Sequence, residues 1–462
     1  RIFGWLAWIV LKLPHVYLPP SRMGKEKFLL ILVLILGLIL RLVKLDQGFW
    51  LDEASQAQQS SLSLTQIWSG RAGDFHPPLF YVLAHFWLQF GRSETWLRLL
   101  PVSFGILNII ALYFFAKHIH PRLGLPAAFL LAINPFHIYY SQEFRMYSLL
   151  TFLGTLSMPA FYKKHWSLFL LNALLLYTHY AGIILILAQF VYVIVFDRKY
   201  LRTSTFHFLL SVALFLPWLP QFFAQFQSGT GIDTYLPGWR NLLTLSPLKA
   251  IPLILFKFVA GRIDLLPRWI YAVYIVFVLA VTAAGVVLAR GKRRLLYTWL
   301  GVPIVASLVI SFVIPQTQPF RLIFTLPALV LLLAEAVLRW PRTFLTLLIY
   351  IAIVGNYTYF TRPRLQREQW RQALEFIRIQ PAPMVVKFPG AFAPMTWYAP
   401  DLPVITASSF PTAKLSDFYL FQYLTGLTDP QYKIDSQIQA SGYTLQKRYN
   451  FEGVGFIDYY HK

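Results

Sequence analysis

The residues best suited to chemistry lie in one polar stretch, residues 49–98, of a chain that is otherwise largely apolar. Asp52 and Glu53 are adjacent carboxylates, and Asp74 and His76 follow just before a pair of prolines. Positioned carboxylates and imidazoles are the usual groups that take up or deliver a proton in catalysis. Helix caps are the alternative, because Asp before a proline-started helix is a common N-cap. The acidic pair and the Asp74–His76 pair lie in one segment, which favours an acid/base or metal site. Its catalytic candidates are Asp52, Glu53 and Asp74.

The same side chains offer ligands to a metal ion. Carboxylate oxygens and an imidazole nitrogen can hold a divalent cation, so Asp52, Glu53, Asp74 and His76 are the candidate ligands. Their spacing matches no specific metal-binding pattern, so a divalent cation is only a candidate cofactor. The chain has no cysteine, which excludes disulfides and thiolate metal sites.

Three arginines stand at turns or starts of apolar runs: Arg98, Arg145 and Arg321. Arginines at the ends of membrane helices often extend to the interface, which is the alternative for each of them. All three are expected on the outer side, where positive charge is disfavoured. We therefore predict phosphate binding, since a planar guanidinium fits phosphate oxygens. His76 is a further candidate phosphate contact, and the neighbouring segments add Tyr139, Tyr140, Glu143, Tyr147 and His179.

Composition places these residues in a membrane protein. Of 462 residues, 57% are hydrophobic and only 13% are charged, and the mean hydropathy is +0.54. A soluble protein carries about 25% charged residues. The net charge of +22 does not indicate nucleic-acid binding, because Lys and Arg lie in short clusters between apolar runs, as in cytoplasmic loops. Membrane lipids are expected partners.

The apolar runs predict a polytopic α-helical membrane protein with about 11 spans. Residues 1–27 form an N-terminal interfacial or cytoplasmic segment, and residues 28–360 form the transmembrane domain. The first span, 28–45, follows basic residues, so the long segment 46–97 is expected outside the membrane. Within that segment, residues 78–90 are predicted to form a helix in the outer interface. The basic clusters agree with this alternation at each expected inner loop.

Residues 361–462 form a small soluble α/β domain on the same, non-cytoplasmic side. Helices are predicted at 366–379 and 430–440, the second capped by Asp429 and ended by Gly442. Strands are expected at 384–388, 417–423 and 454–460.

Taken in order, the motifs resemble a known family. Trp50–Ala54, Asp74–Leu79, Arg98–Pro101 and Tyr139–Tyr147 look like successive signatures of the bacterial GT-C glycosyltransferases, in a branch similar to protein O-mannosyltransferases and lipid A aminoarabinose transferases. The resemblance covers most of residues 28–360. Four motifs in register make it specific, whereas any one alone is weak. The C-terminal domain fits the architecture without a matching motif.

This resemblance implies a polyprenyl-phosphate-linked sugar as donor, used with inversion on the outer face, and no nucleotide cofactor. Asp52 falls on the family's catalytic acidic position, and Glu53 completes the pair. The lipid A enzymes carry a lysine before the proline pair where this chain has His76, which leaves the donor and acceptor open. The acceptor can be a glycan, a lipid or a protein, and the expected location is the bacterial inner membrane with the site facing the periplasm or exterior.

Two other classes of protein remain as alternatives. A transporter or flippase for lipid-linked sugars would show paired repeats and broken helices at the membrane midplane. The chain shows no internal repeat, and its polar groups cluster in outer segments. A non-catalytic membrane scaffold would not need the acidic pair.

Overall fold

The structure is a computed structural model that describes residues 20–70, 75–230, 246–289, 293–312, 314, 316–413 and 415–462. Asp74, one of the predicted site residues, lies outside these ranges, as does most of the predicted segment 1–27. Up to residue 361 the described chain is mostly helical, as its apolar composition predicts. The first helices are α1 (Pro20–Leu42), α2 (Leu51–Ser60), α3 (Leu64–Trp68), α4 (Leu79–Leu88), α5 (Glu94–Ile119), α6 (Gly124–Ile133), α7 (Pro135–Ser141), α8 (Tyr147–Tyr162) and α9 (Leu168–Thr178). The next are α10 (Gly182–Phe196), α11 (Leu201–Phe215), α12 (Leu219–Thr230), α13 (Pro247–Ala260), α14 (Arg268–Leu288), α15 (Arg293–Ile310), α16 (Leu326–Arg339) and α17 (Pro341–Thr361).

Five stretches of helix in the described part of the chain are long and apolar enough to cross a membrane. They are Glu94–Ile119, Arg198–Gly229, Arg268–Leu288, Pro319–Arg339 and Pro341–Thr361. Other apolar helices have 10–17 residues, and a helix of 15 residues is only about 22 Å long, against a hydrocarbon thickness of about 30 Å. The multi-pass helical character is therefore confirmed, whereas the count of about 11 spans stays a prediction.

The apolar run at residues 123–140, which by itself predicts one span, forms two helices, because Asn134 and Pro135 interrupt it. Asn134 Oδ1 accepts a hydrogen bond of 2.8 Å from the backbone N–H of His137, which makes it an N-cap. Pro135 is the first residue of α7 and has no N–H to continue the bonding of α6. The interruption gives the chain a separate short helix, α7, that ends beside the polar residues described below.

The predicted outer segment 46–97 contains the three short helices α2, α3 and α4. The expected interfacial helix at 78–90 is observed as α4, whose 10 residues extend only about 15 Å. This helix is therefore too short to cross a bilayer, as expected. Helix α2 begins with the acidic pair, with Asp52 and Glu53 in its first turn, where negative charge is favourable to the helix dipole.

The C-terminal part is built on a five-stranded sheet with strand order β2-β1-β3-β5-β4. The strands β1 and β2 and the strands β1 and β3 run parallel, whereas β3 and β4 pair with β5 in antiparallel fashion. The strands are β1 (Met384–Val386), β2 (Val404–Ile405), β3 (Asp417–Phe421), β4 (Thr444–Phe451) and β5 (Gly455–His461), with helices α18 (Trp370–Ile379), α19 (Ala393–Tyr398), α20 (Thr425–Thr428) and α21 (Lys433–Ala440). Sequence patterns missed β2, which has only two residues, and β4, which is mostly exposed.

The C-terminal part packs directly on the segment 46–97. Gln58 in α2 donates a hydrogen bond of 2.8 Å to the carbonyl of Ala393, and the Phe49 N–H donates to the Tyr398 hydroxyl at 2.6 Å. The Tyr398 hydroxyl in turn donates to Glu94 at 2.9 Å. These bonds connect the start of α2, the start of α5 and helix α19. Asp52 and Glu53, in the first turn of α2, therefore lie close to the C-terminal part of the chain.

Candidate active site

Glu53 is held in a buried ion pair with Arg98. The guanidinium donates Nε to Oε1 at 2.9 Å and Nη2 to Oε2 at 2.6 Å, and both side chains are at most 1% exposed. The backbone N–H of Phe144 also donates to Glu53 Oε1 at 2.7 Å. The other nitrogen–hydrogen donors of Arg98 bond to backbone carbonyls, including those of Leu45 at 2.9 Å and Gly48 at 3.1 Å. The hydrogen bonds of this ion pair thus connect three parts of the chain: the residues before α2, helix α5 and the segment after α7.

Charge keeps Glu53 ionised in spite of its burial. Burial alone would raise the pKa of Glu53, but the guanidiniums of Arg98 and Arg367 outweigh it and hold that pKa below its usual range. A buried charge that is paired and fully hydrogen-bonded is tolerated, whereas an unpaired one is very costly. Glu53 therefore serves to position the acidic segment.

These contacts change two of the sequence-based expectations. Arg98 was expected to bind a donor phosphate, yet its donors face Glu53 and backbone carbonyls. Glu53 was expected to act as an acid or a metal ligand, yet both of its oxygens accept hydrogen bonds inside the protein. Within the described ranges no three His, Asp or Glu side chains come together as a metal site. The described residues do not fit the predicted cation site, and we assign no step to a metal.

A second buried ion pair joins Glu143 to Arg367. Arg367 Nη1 lies 2.9 Å from Glu143 Oε2 and donates to the Tyr139 hydroxyl at 2.6 Å. Arg262, just after α13, also donates to that hydroxyl. The guanidinium carbons of Arg367 and Arg262 lie 4.2 Å and 4.7 Å from the centre of the Tyr139 ring. Sequence reasoning selected Tyr139 and Glu143 but missed both arginines, which follow the predicted spans and carry no motif.

Asp52 lies in a different setting from its neighbour. Arg145 Nη1 donates to the backbone carbonyl of Asp52 at 3.4 Å. The charges of Arg145, Glu143, Asp52 and Arg321 all act on the hydroxyl of Tyr147, and the charge of Asp52 also acts on Arg321. The structure therefore brings four predicted residues to one place: a carboxylate, two guanidiniums and a phenol.

Aromatic rings extend this place toward the two histidines. The ring of Tyr147 lies 5.2 Å from Tyr140 and 6.2 Å from His179, measured between ring centres. His179 packs edge-on against His76 at 5.2 Å. Phe320, next to Arg321, contacts Tyr147 at 5.3 Å. Tyr140, His76 and His179, which are further predicted site residues, thus adjoin the Asp52 group.

This arrangement suits a reaction in which a proton leaves one group while negative charge grows on another. A carboxylate beside a reacting hydroxyl can take its proton. Guanidiniums nearby can stabilise an anion that departs. The buried pairs Glu53–Arg98 and Glu143–Arg367 hold the surrounding backbone, which is what positioning of such groups requires.

Comparison with known proteins agrees with the fold of the chain. No family model and no curated protein matches the sequence. Among solved structures, ArnT from Cupriavidus metallidurans in the apo state matches with a TM-score of 0.58 and 13% identity, over 95% of this chain and 98% of that one. The same protein bound to undecaprenyl phosphate matches with a TM-score of 0.58 and 14% identity, over the same shares of 95% and 98%.

A third match is the oligosaccharyltransferase of Archaeoglobus fulgidus in complex with zinc and sulfate, with a TM-score of 0.49 and 14% identity, over 85% of this chain and 68% of that one. The fold assignment depends on the two ArnT structures, which cover both chains almost completely. The resemblance to the GT-C glycosyltransferases is therefore confirmed at the level of the fold, and this multi-pass membrane protein has the GT-C architecture.

Proposed function

We propose that this protein is an inverting glycosyltransferase that moves a sugar from a polyprenyl-phosphate donor to an envelope or secreted acceptor. The observation that carries the proposal is the unequal setting of the acidic pair. Glu53 is neutralised by Arg98. Arg145 instead donates to the backbone carbonyl of Asp52 at 3.4 Å, and the charge of Asp52 acts on Arg321. One carboxylate beside two guanidiniums is the set of groups that glycosyl transfer from a phosphate requires.

In the proposed reaction, an acceptor hydroxyl attacks the anomeric carbon of the donor sugar. The new carbon–oxygen bond forms as the bond from that carbon to the phosphate oxygen breaks, and the electron pair stays on the phosphate. Attack from the opposite side inverts the configuration. Asp52 takes the proton of the hydroxyl, and Arg145 and Arg321 stabilise the charge that grows on the phosphate.

The donor class is supported by the fold. ArnT, whose fold this chain shares, has been solved with undecaprenyl phosphate bound. A lipid-linked donor also suits a protein whose polar groups adjoin long apolar helices. We place the protein in the bacterial inner membrane, with Asp52 facing the periplasm or exterior, on the basis of the basic inner loops.

The test compares cells with and without this protein by mass spectrometry of lipid-linked sugars and envelope glycans. We expect one sugar to disappear from an acceptor while its polyprenyl-phosphate donor accumulates. Cells producing Asp52→Asn at the wild-type level should match cells without the protein. An unchanged sugar profile, or a change in lipid-linked sugars that Asp52→Asn fully restores, would overturn the proposal. Full restoration would favour transport of the lipid-linked sugar.

A further inference from the structure

A cleft lies beside the Asp52 group, along the next turns of α2. It is partly open to solvent, and it is lined in part by Gln59, Tyr81, Trp218 and Gln225. Asp52, Gln56 and Gln59 are four and three residues apart, so they fall along one face of α2. Gln59 is about 10 Å along the helix axis from Asp52, at 1.5 Å per residue. The cleft therefore adjoins the proposed reaction centre.

Two side chains that line this cleft hold buried polar atoms without a protein partner. Gln59 is 8% exposed and Tyr81 is 5% exposed. Among the residues that the structure describes, neither Gln59 Oε1 nor the Tyr81 hydroxyl has a hydrogen-bond partner. The amide nitrogen of Gln59 is directed to Ser55 Oγ at 3.2 Å on the same helix, which leaves the oxygen as an acceptor. Buried polar atoms are nearly always satisfied in native proteins, so these two indicate a ligand that supplies the missing partners.

The facing wall is rigid and mostly uncharged. The Trp218 indole N–H donates to the Tyr180 hydroxyl at 3.0 Å, and that hydroxyl donates to Gln225 Oε1 at 2.5 Å. Gln225 Nε2 donates to the backbone carbonyl of His76 at 3.4 Å. The lining thus presents aromatic surface with amide and phenol groups, and His76 is its sole titratable group apart from Tyr81 among the described lining residues.

This chemistry selects a class of ligand. Hydroxyl groups both donate to an amide oxygen and accept from a phenol, and the apolar face of a sugar ring packs on an aromatic side chain. A phosphate favours several cationic donors, whereas His76 is the one side chain of the described lining that can become cationic. The features together favour a neutral, hydroxyl-rich ring.

We propose that this cleft is a sugar subsite that holds a ring of the acceptor, so that the acceptor is a glycan. The identification of the ring as part of the acceptor rests on the proposed transferase function. The distance of about 10 Å along α2 places the ring beyond the sugar that reacts at Asp52. In this arrangement Gln59 Oε1 accepts from one hydroxyl of the ring and the Tyr81 hydroxyl bonds another.

The experiment uses the full chain in lipid nanodiscs and saturation-transfer NMR. The probes are the methyl glycosides of mannose, glucose, galactose and arabinose, alone, with undecaprenyl phosphate, or with undecaprenyl-phosphate-mannose. The variants are Gln59→Leu and Tyr81→Phe, and the matched control is Gln58→Leu, which removes an amide from the same helix where it faces Ala393. Thermal unfolding of each variant is measured in parallel.

We expect at least one glycoside to bind the wild type, and its Kd to rise at least about tenfold in Gln59→Leu and Tyr81→Phe but not in Gln58→Leu. The melting temperature of Tyr81→Phe should not fall, because the lost hydroxyl has no described protein partner. That of Gln59→Leu should fall little, because the variant loses only the bond from Nε2 to Ser55 on the same helix. If the glycoside still binds in the presence of either lipid, the cleft holds a ring of the acceptor. Displacement by undecaprenyl-phosphate-mannose, but not by undecaprenyl phosphate, assigns the ring to the donor and overturns the acceptor assignment.

Two results would overturn the subsite itself: no glycoside binds the wild type, or Gln59→Leu and Tyr81→Phe bind as the wild type does. Failure of the proposed function is read separately, from native mass spectrometry with undecaprenyl phosphate. If that lipid does not bind while a glycoside does, the transferase proposal fails and the cleft still binds a sugar.

Discussion

Glu368 accepts a hydrogen bond of 3.3 Å from the backbone N–H of Leu51, the first residue of the helix that carries Asp52. The same carboxylate accepts from the Trp370 indole at 2.7 Å and from the Tyr423 hydroxyl at 3.1 Å. Trp370 and Tyr423 belong to the C-terminal core. One carboxylate therefore connects the C-terminal unit to the N-terminus of the proposed catalytic helix.

The first prediction concerns the pH dependence of this connection. Burial raises the pKa of Glu368 from 4.5 to about 7, against the hydrogen bonds from Trp370, Tyr423 and Leu51 that lower it. The folded state therefore holds this proton more tightly than the unfolded state. The stability that it contributes is fully present below about pH 4.5 and is lost as the pH rises toward 7. The loss is of the order of 3 kcal/mol.

We expect the melting temperature of the wild type to fall between pH 5.5 and 8, and that fall to be smaller in Glu368→Gln, whose side chain carries no charge. The measurement is thermal unfolding in nanodiscs at each pH. Glu375→Gln is the matched control, because Glu375 is exposed on α18, the helix that begins two residues after Glu368. If Glu368→Gln and the wild type show parallel pH profiles, the carboxyl of Glu368 is not the titrating group.

The second prediction concerns the pair Glu53–Arg98. Removing one partner of a buried ion pair costs about 3–5 kcal/mol, because the other charge is left unpaired. Glu53→Gln and Arg98→Met should each destabilise the protein by this amount, and the double variant should lose much less than the sum. Arg378→Met in the exposed pair with Asp401 is the control, for which we expect little loss of stability, because solvent screens an exposed ion pair. Additive losses at Glu53 and Arg98 would show that the two side chains act independently.

Local patterns predicted local structure well. Asp429 was expected to be the N-cap of a helix at 430–440. The helix begins instead at Lys433, with Tyr432 at the N-cap position, but the Asp429 carboxylate does accept from the first backbone N–H groups, those of Lys433 at 2.8 Å and Ile434 at 3.1 Å. Gly442 was expected to end this helix, and its φ of +80° suits a residue without a side chain. Capping depends on neighbours within a few residues, which is why a sequence can reveal it.

Pairings across the chain could not be predicted in this way. Glu53 and Arg98 are 45 residues apart, and Glu143 and Arg367 are 224 apart. Each side chain has several charged candidates at such separations, and only the fold selects one. Arg41 illustrates the limit: it was read as part of an apolar span, yet it is fully buried and donates to the carbonyl of Ala132 at 2.9 Å.

The third prediction concerns sidedness. The contacts between α2 and α19 require both to lie on one side of the membrane. Single cysteines at the exposed positions Ser61 and Ser436 should react with an impermeant maleimide from the same face, in a chain that has no natural cysteine. A cysteine at Arg202, in a predicted inner loop, should react only after the membrane is opened. Labelling of Ser61 and Ser436 from opposite faces would contradict the proposed topology.

The fourth prediction concerns the donor phosphate. The charges of Arg145, Arg321 and Asp52 all act on the hydroxyl of Tyr147. Arg145→Gln and Arg321→Gln should each weaken undecaprenyl phosphate binding by at least about tenfold. The reason is that charge-assisted hydrogen bonds to phosphate are worth about 1.5–3 kcal/mol. Lysine at either position should restore part of the affinity but lose the planar fork. Native mass spectrometry measures the bound lipid. The exposed Arg364 serves as control, and equal losses in Arg364→Gln would indicate only a general effect of charge.

The last prediction assigns the base. Loss of a positioned base costs about 10²–10⁴ in rate, so Asp52→Asn should nearly abolish transfer while binding undecaprenyl phosphate as the wild type does. Rate against pH should show an acidic limb in the wild type that is missing from the residual activity of Asp52→Asn. If the acceptor is an ionised phosphate, no proton is removed, and the limb is absent from the wild type as well. Wild-type turnover by purified Asp52→Asn, on the acceptor identified by mass spectrometry, would end the assignment of Asp52 as the base.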